Sequence, residues 1–253
     1  MMTQIDWPIA FFDDDYLKIY EPMLTEERTR LELDFIEQEL SLAPGSGVLD
    51  LACGIGRHAV GMAGRGYRMT GFDFNARYLE IGAGSAERAG VRVAWKQGDM
   101  RSLGFERAFD AVYSYFTPFG YYSDAENEQV IENVARALVP GGRFLIDVSN
   151  RDYLLTHPLL RTWTQRDDGA LLMEESTLDL VSSRVTSRQI LIEPGGASRV
   201  TKEFDLRAYT CAELSALFRH HGLAVLLARG GPDGSEYSTE SRRLVLVAVR
   251  EGV

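Results

Sequence analysis

The stretch Gly54-Ile55-Gly56-Arg57-His58-Ala59 fits the pattern G-x-G-x-x-A. A glycine turn of this kind lets a ligand approach the backbone closely and places it at the start of the following helix. Further on, Asp73 offers a carboxylate that can accept hydrogen bonds from two ribose hydroxyls. By themselves these two features suit a dinucleotide site as well as any other nucleoside site.

Other residues separate the readings. Asp50 stands just upstream of Gly54, where a dinucleotide site is normally apolar up to its first glycine. Gly98-Asp99-Met100 supplies an acid that can accept from an adenine amine, and the next backbone N–H can donate to the ring. The run Tyr115-Phe116-Thr117-Pro118-Phe119-Gly120-Tyr121-Tyr122 is rich in aromatics that can wall a pocket and contact a cation. Tyr16 and Tyr20 are four apart and share one helical face.

The elements that position these residues are legible in the periodicity. Short apolar runs at Val48–Ala52, Tyr67–Phe72, Val91–Gln97, Phe109–Tyr115 and Arg143–Val148 predict strands. Helical patterns at 57–63, 76–88 and 126–138 alternate with them, which predicts an open parallel sheet with helices on both faces. Residues 8–40 read as helical, with Thr25 a fitting N-cap and Leu31, Phe35, Ile36 and Leu40 at helical spacing. Segments 161–166, 170–179, 184–192 and 199–207 read as an inserted antiparallel meander. A helix resumes at Thr210–His221 behind a Thr210/Glu213 capping box, and Leu223–Leu227 and Leu244–Val249 are the last strands.

Composition narrows the partners. The chain has 253 residues, 45% hydrophobic and 25% charged, as expected of one globular domain with an insertion. Its net charge of −10 argues against a phosphate-binding surface, so no nucleic-acid partner is expected. Two cysteines, Cys53 and Cys211, make neither a disulfide framework nor a zinc site, and no metal is expected. Met1–Trp7 carries no signal-peptide pattern and no run is long enough to span a membrane, so a cytoplasmic location is expected.

Together, Val48–His58, Gly71-Phe72-Asp73, Gly98-Asp99-Met100 and Pro140-Gly141-Gly142-Arg143-Phe144 resemble the motif series of class I S-adenosylmethionine-dependent methyltransferases. The resemblance covers about residues 40–150 and, more loosely, the last forty. It implies an α/β fold: a doubly wound, mainly parallel seven-stranded sheet in order 3-2-1-4-5-7-6, with the antiparallel insertion after strand five. The implied division is a helical lid over 1–42, a core over 43–155 and 208–253, and an inserted sheet over 156–207 that covers substrate or contacts a second subunit.

The implied cofactor is S-adenosyl-L-methionine. Asp73 would hold its ribose and Asp99 its adenine amine, Gly54 and Gly56 would line its methionine end, and Asp50 would fix the loop and the ammonium. Tyr20, Ala52, Arg57, Phe74, Met100 and Tyr115 complete the expected cofactor surroundings. At Ala52 the family often has glycine, and alanine is expected to be tolerated. Arg57 is expected to meet a carboxylate and His58 to pack or cap.

The implied reaction is in-line methyl transfer to an N or O nucleophile, with orientation supplying much of the acceleration. Tyr121 and Phe116 are expected to position the reacting groups. Tyr16, Phe119, Asn150, Arg151 and Tyr209 are expected to meet a small-molecule acceptor. Asp50-Leu-Ala-Cys-Gly, Gly98-Asp99-Met100-Arg101, Phe116-Thr117-Pro118-Phe119-Gly120 and Arg207-Ala208-Tyr209-Thr210 are similar to amino-sugar N-methyltransferases and antibiotic-tailoring enzymes. There a histidine commonly stands where this chain has Tyr121. RNA or protein methylation, an NAD-dependent oxidoreductase and a non-enzymatic module on the inserted sheet are the competing readings. Exposed strands of the insertion could pair two subunits into a homodimer.

Overall fold

The computed structural model describes residues 10–157, 161–196 and 198–252. The Met1–Trp7 stretch, and the beginning of the helical segment expected from residue 8, lie outside the described residues. So do positions 158–160 and 197 of the insertion.

Strands β1 (Gly47–Leu51), β2 (Arg68–Asp73), β3 (Val93–Gln97), β4 (Phe109–Ser114) and β5 (Leu138–Ser149) alternate with helices α3 (Arg57–Gly64), α4 (Ala76–Arg88) and α5 (Asp124–Ala137). Helices α1 (Asp14–Tyr20) and α2 (Glu26–Leu40) precede them. After α6 (Arg151–Thr156) come β6 (Thr162–Gln165), β7 (Leu171–Asp179), β8 (Arg184–Ile192) and β9 (Arg199–Arg207). Helix α7 (Cys211–His220) and strands β10 (Leu223–Arg229) and β11 (Arg243–Arg250) close the chain.

The main sheet has seven strands in the order β10-β11-β5-β4-β1-β2-β3, which read from its other edge is 3-2-1-4-5-7-6. In this sheet β11 alone runs against the other six strands, antiparallel to both β5 and β10. Strand alternation sends neighbouring residues to opposite faces. Val48 packs with Leu33, Ile36 and Met62 on the face covered by α2 and α3, whereas Leu49 and Leu51 pack with Ile131, Leu214 and Phe218 under α5 and α7. Both faces are dry, which is why the strands read as apolar runs rather than alternating ones. Among the described residues no helix is long and apolar enough to cross a membrane.

The antiparallel sheet, β6-β7-β8-β9, is separate from the main one. Its inner face buries Leu172, Leu191 and Val200 against Ile19 of α1. Helix α1 is thereby sandwiched between the insertion and the core. Lys202 donates to Ala10 O at 3.1 Å and pairs with Asp13 at 2.5 Å, and Arg166 donates to Lys18 O at 2.7 Å. From the core side, Asn75 donates to Phe12 O at 2.6 Å and the Tyr78 hydroxyl to Asp13 O at 2.7 Å.

Three local expectations change. The N-terminal helical segment is broken at Leu24–Thr25, because Thr25 caps a new helix by accepting from Arg28 N. Leu31 of that helix is exposed, since its buried stripe runs instead through Glu32, Leu33, Phe35, Ile36, Glu39 and Leu40. Strand β5 begins at Leu138, earlier than the expected Arg143, and Asn150 after it caps α6.

Candidate active site

The carboxyl ends of β1, β2 and β4 open into a cleft of about 870 Å³, counted to its mouth. One wall is the turn after β1. Asp50, Ala52, Gly54 and Arg57 line it, joined by Cys53, Ile55 and His58. Gly54 has φ +55°, and a Cβ there would project into open space. Its neighbour Ala52 adopts φ 60° despite its side chain, a conformation that costs an L-residue about 1–2 kcal/mol.

Asp73, Phe74, Tyr78 and Met100 form the second wall. One oxygen of Asp73 accepts from Gly54 N at 2.8 Å, so this carboxylate sets the glycine turn as well as facing the cleft. The other accepts from Asn75 N at 2.9 Å. Burial raises the Asp73 carboxyl above its ordinary value, and the backbone donors counter that only partly.

Tyr115, Phe116, Thr117, Pro118, Tyr121 and Tyr122 make the third wall, and Phe12, Tyr16, Leu17 and Leu24 the roof. The rings interlock: Phe12 meets Tyr121 at 5.2 Å edge to face, Phe74 at 6.0 Å and Tyr16 at 4.9 Å. Burial pushes the hydroxyls of Tyr16, Tyr115 and Tyr121 far above ordinary phenol values, so they are neutral donors at any physiological pH.

Phe116 and Thr117 have φ 75° and 56°, two successive left-handed residues without glycine. Asp147 of β5 holds them. Its carboxylate accepts from Phe116 N at 2.9 Å and its carbonyl from Thr117 N at 3.0 Å, while Arg243 of β11 clamps the carboxylate at 2.7 and 2.5 Å.

Beneath the glycine turn lies a buried charge cluster that the sequence did not announce. Glu32, from α2, is fully buried. It accepts from Arg28 at 2.9 Å, sits 2.9 Å from His58 Nε2 and pairs with Arg57. Burial alone would raise its carboxyl, but His58 and the Arg57 charge hold it at about 2. His58 is itself lowered to about 4 by burial, and the adjacent Arg57 charge acts in the same direction. The expectations that Arg57 meets a carboxylate and that His58 packs are both met.

Two buried polar atoms on the first wall make no hydrogen bond of good geometry: Asp50 Oδ2, whose carboxylate the Tyr113 hydroxyl approaches, and Arg57 Nη2. Unsatisfied buried groups of this kind call for a ligand. An acid and a guanidinium side by side match an amino-acid zwitterion, the ammonium against one and the carboxylate against the other. The methionine end of S-adenosylmethionine carries that zwitterion, so the donor set fits the expected cofactor. Burial raises Asp50 to about 7, against the Tyr113 hydroxyl and the Arg57 charge, which pull the other way.

The cleft thus gathers Asp50, Ala52, Gly54, Arg57, Asp73, Phe74, Met100, Tyr115, Phe116, Tyr16 and Tyr121. Other expected residues lie outside its walls. Gly56 instead packs on Trp95, whose ring would lie 2.3 Å from any Cβ there. Gly71 and Gly82 are shaped by the same indole, at 2.6 and 2.7 Å. The oxygens of Asp99 are taken by Arg101, which also bonds Glu126 at 2.5 Å. Tyr20 stacks 4.4 Å behind Tyr16, and its hydroxyl accepts from Gln189 at 2.6 Å. Phe119 and Tyr209 pack together at 5.4 Å in the core. Asn150 is fully buried and donates to Ser238 O and Ser241 O, and Arg151 donates to Ser183. Glu32, Trp95, Asp147 and Arg243 were missed, because their partners are distant in sequence.

Residues 48–142 match a family model described as a methyltransferase domain. A ubiquinone biosynthesis O-methyltransferase from Alkalilimnicola ehrlichii is 30% identical over 181 residues, which cover 70% of this chain and 66% of the relative. The chain thus spans just under two thirds of that protein. Among solved structures, an S-adenosylmethionine-dependent methyltransferase from Clostridium acetobutylicum superposes with a TM-score of 0.80 at 19% identity, covering 94% of this chain and 99% of the other. The S-adenosylmethionine-bound amino pentose methyltransferase CalS10 from Micromonospora echinaspora gives 0.68 at 21% identity, covering 94% and 97%. With its strand order, its glycine turn and these matches, the chain carries a methyltransferase domain and has the fold of the S-adenosylmethionine-dependent methyltransferases.

Proposed function

We propose that the chain transfers the methyl group of S-adenosylmethionine to an N or O nucleophile of a small molecule. The observation that carries this reading is the roofed, aromatic-walled cleft next to the Asp50/Arg57 pair. The cofactor supplies a methyl group already made electrophilic by its sulfonium. The protein's part is to bind, to orient and to exclude water.

In this reading Asp50 and Arg57 hold the methionine end, and Asp73, with acceptor capacity beyond its two backbone donors, takes the ribose. Met100 flanks the adenine. Asp99 reaches the adenine amine only by sharing its oxygens with Arg101. Phe116 and Tyr121 hold the acceptor in line, and Tyr16 closes over it. Among the wall residues His58 is engaged by Glu32, the tyrosines stay protonated, and Asp50, raised to about 7, is committed in this reading to the methionine end. This favours an acceptor whose nucleophile is already unprotonated, or loses its proton to solvent. The cleft is roofed by the N-terminal segment 12–24, which the insertion covers from outside, and this favours a small molecule over a folded RNA or protein. A cytoplasmic setting fits an enzyme of this kind.

The test is a methyl-transfer screen with labelled S-adenosylmethionine over amine, hydroxyl and carboxyl metabolites. Label moving to small amines or hydroxyls supports the reading. Label moving only to RNA or protein overturns it.

A further inference from the structure

Far from the cleft, two helices on one face of the sheet bring three metal-type ligands together. Glu128 lies in α5, and His220 and His221 lie at the end of α7. Glu128 Oε1 is 3.2 Å from His221 Nε2 and 3.7 Å from His220 Nε2, and all three ligand atoms fall within 4.8 Å of one another. With bonds of about 2.0–2.1 Å, a tetrahedral zinc ion sets its ligand atoms roughly 3.3–3.5 Å apart. The two separations to Glu128 bracket that value and the third is at most 4.8 Å, so side-chain rotations that draw the two imidazoles together would seat an ion. Both histidines present Nε2 to the same carboxylate.

We propose that Glu128, His220 and His221 bind a divalent transition-metal ion, with Zn²⁺ the occupant that two imidazoles and a carboxylate favour. Water completes the coordination, because the site faces solvent: the side chains are 44%, 73% and 14% exposed. The ion would clip the end of α7 to α5. Helix α5 begins directly after Tyr121-Tyr122 of the cleft wall, so the clip braces the element that carries that wall. The competing arrangement is the direct hydrogen bond between His221 Nε2 and Glu128 at 3.2 Å, which needs no ion.

Titration of the full chain with Zn²⁺ by calorimetry, and with Co²⁺ by visible absorption, decides between them. The expected result is one equivalent bound, a Co²⁺ spectrum with d–d bands and no thiolate charge transfer, and a thermal midpoint raised by Zn²⁺. Loss of an outer-shell partner alone costs a metal site about 10–100-fold in affinity, so loss of a ligand in Glu128→Gln or His221→Gln should weaken Zn²⁺ at least tenfold. Each variant should also abolish the thermal shift. His220→Gln, the most exposed position, gives the same loss with the least risk to folding, and Glu132→Gln changes nothing. Absence of binding, affinity unchanged in these variants, or a spectrum reporting Cys53 or Cys211 would overturn the site.

Discussion

Asp147 Oδ2 accepts the backbone N–H of Phe116 at 2.9 Å, across two adjacent strands of the sheet. Through this bond a buried carboxylate on β5 sets the backbone of a cleft residue that follows β4. The same carboxylate neutralises Arg243, so three chain segments meet at one acid. Left-handed Phe116 and Thr117 are costly alone, and such residues persist only where their surroundings over-determine them.

Asp147→Ala removes that determination and strands Arg243. Breaking one side of a buried ion pair costs about 3–5 kcal/mol, so a loss of about 3 kcal/mol is expected in urea unfolding. Methyl transfer should fall further than stability accounts for, as the Phe116 wall relaxes. A variant with wild-type unfolding would show that the pair is spectator to the loop.

Ala52→Gly should stabilise the protein. The left-handed alanine costs about 1–2 kcal/mol, against 0.5–1 kcal/mol for the extra entropy of glycine. The expected gain is up to about 1 kcal/mol in chemical denaturation, with cofactor affinity little changed. Ala52→Val should lose more than that gain, because β-branching worsens the clash. A glycine variant less stable than wild type would remove strain as the account of this turn.

Asp50 links cofactor binding to pH. Its folded value is raised to about 7, so the folded protein holds a proton that the unfolded chain has released above about 3.8. Stability from this group therefore declines as pH rises from about 4 to 7 and is flat above. Asp50→Asn should raise stability at pH 8 by on the order of 3 kcal/mol. An ammonium needs the carboxylate ionised, so S-adenosylmethionine affinity should fall up to tenfold per unit below pH 7. In the asparagine variant that slope should vanish and affinity be weak throughout. Calorimetry from pH 5.5 to 8.5 reads both, and a pH-independent wild type would separate Asp50 from the ammonium.

Glu32→Gln tests the cluster below the turn. The substitution keeps the shape but leaves Arg28 and Arg57 without their shared counter-charge, at a cost of about 3 kcal/mol. Because its carboxyl is held at about 2, the Glu32 contribution is complete above its ordinary value and is lost only as pH falls towards 2. Cofactor affinity should drop at least fivefold as Arg57 loses its anchor. Unchanged affinity with reduced stability would make Glu32 a packing group alone.

What the sequence made legible follows from range. The sheet order follows from the family resemblance, whereas Gly54, Asp73 and most of the aromatic run rest on patterns within a few residues and line the cleft. Nothing in the sequence sets Glu32 apart from Glu26, Glu27 and Glu37, because Arg57 and His58 reach it only after β1 has crossed the core. Gly56 read as a ligand contact because nothing near it in sequence points to Trp95. The Asp147–Arg243 pair joins β5 to a strand nearly a hundred residues later, a pairing that only the β11 register creates. By contrast Arg101 stands two residues from Asp99, close enough in sequence to occupy the acid.

Tyr121 stands where similar amino-sugar enzymes commonly have histidine, and its chemistry differs in kind. A neutral imidazole can take a proton near pH 7, whereas burial drives the Tyr121 hydroxyl the other way, so it keeps its proton. Its ring packs edge to face on Phe12, which is a shape role. Tyr121→Phe should therefore leave kcat within about threefold, while Tyr121→Ala opens the wall and costs on the order of a hundredfold through lost orientation. Tyr121→His should introduce a pH-dependent limb near neutrality if the acceptor arrives protonated. Steady-state rates of the three variants from pH 6 to 9 measure this. A large loss in the phenylalanine variant alone would assign the hydroxyl a direct part in holding the acceptor.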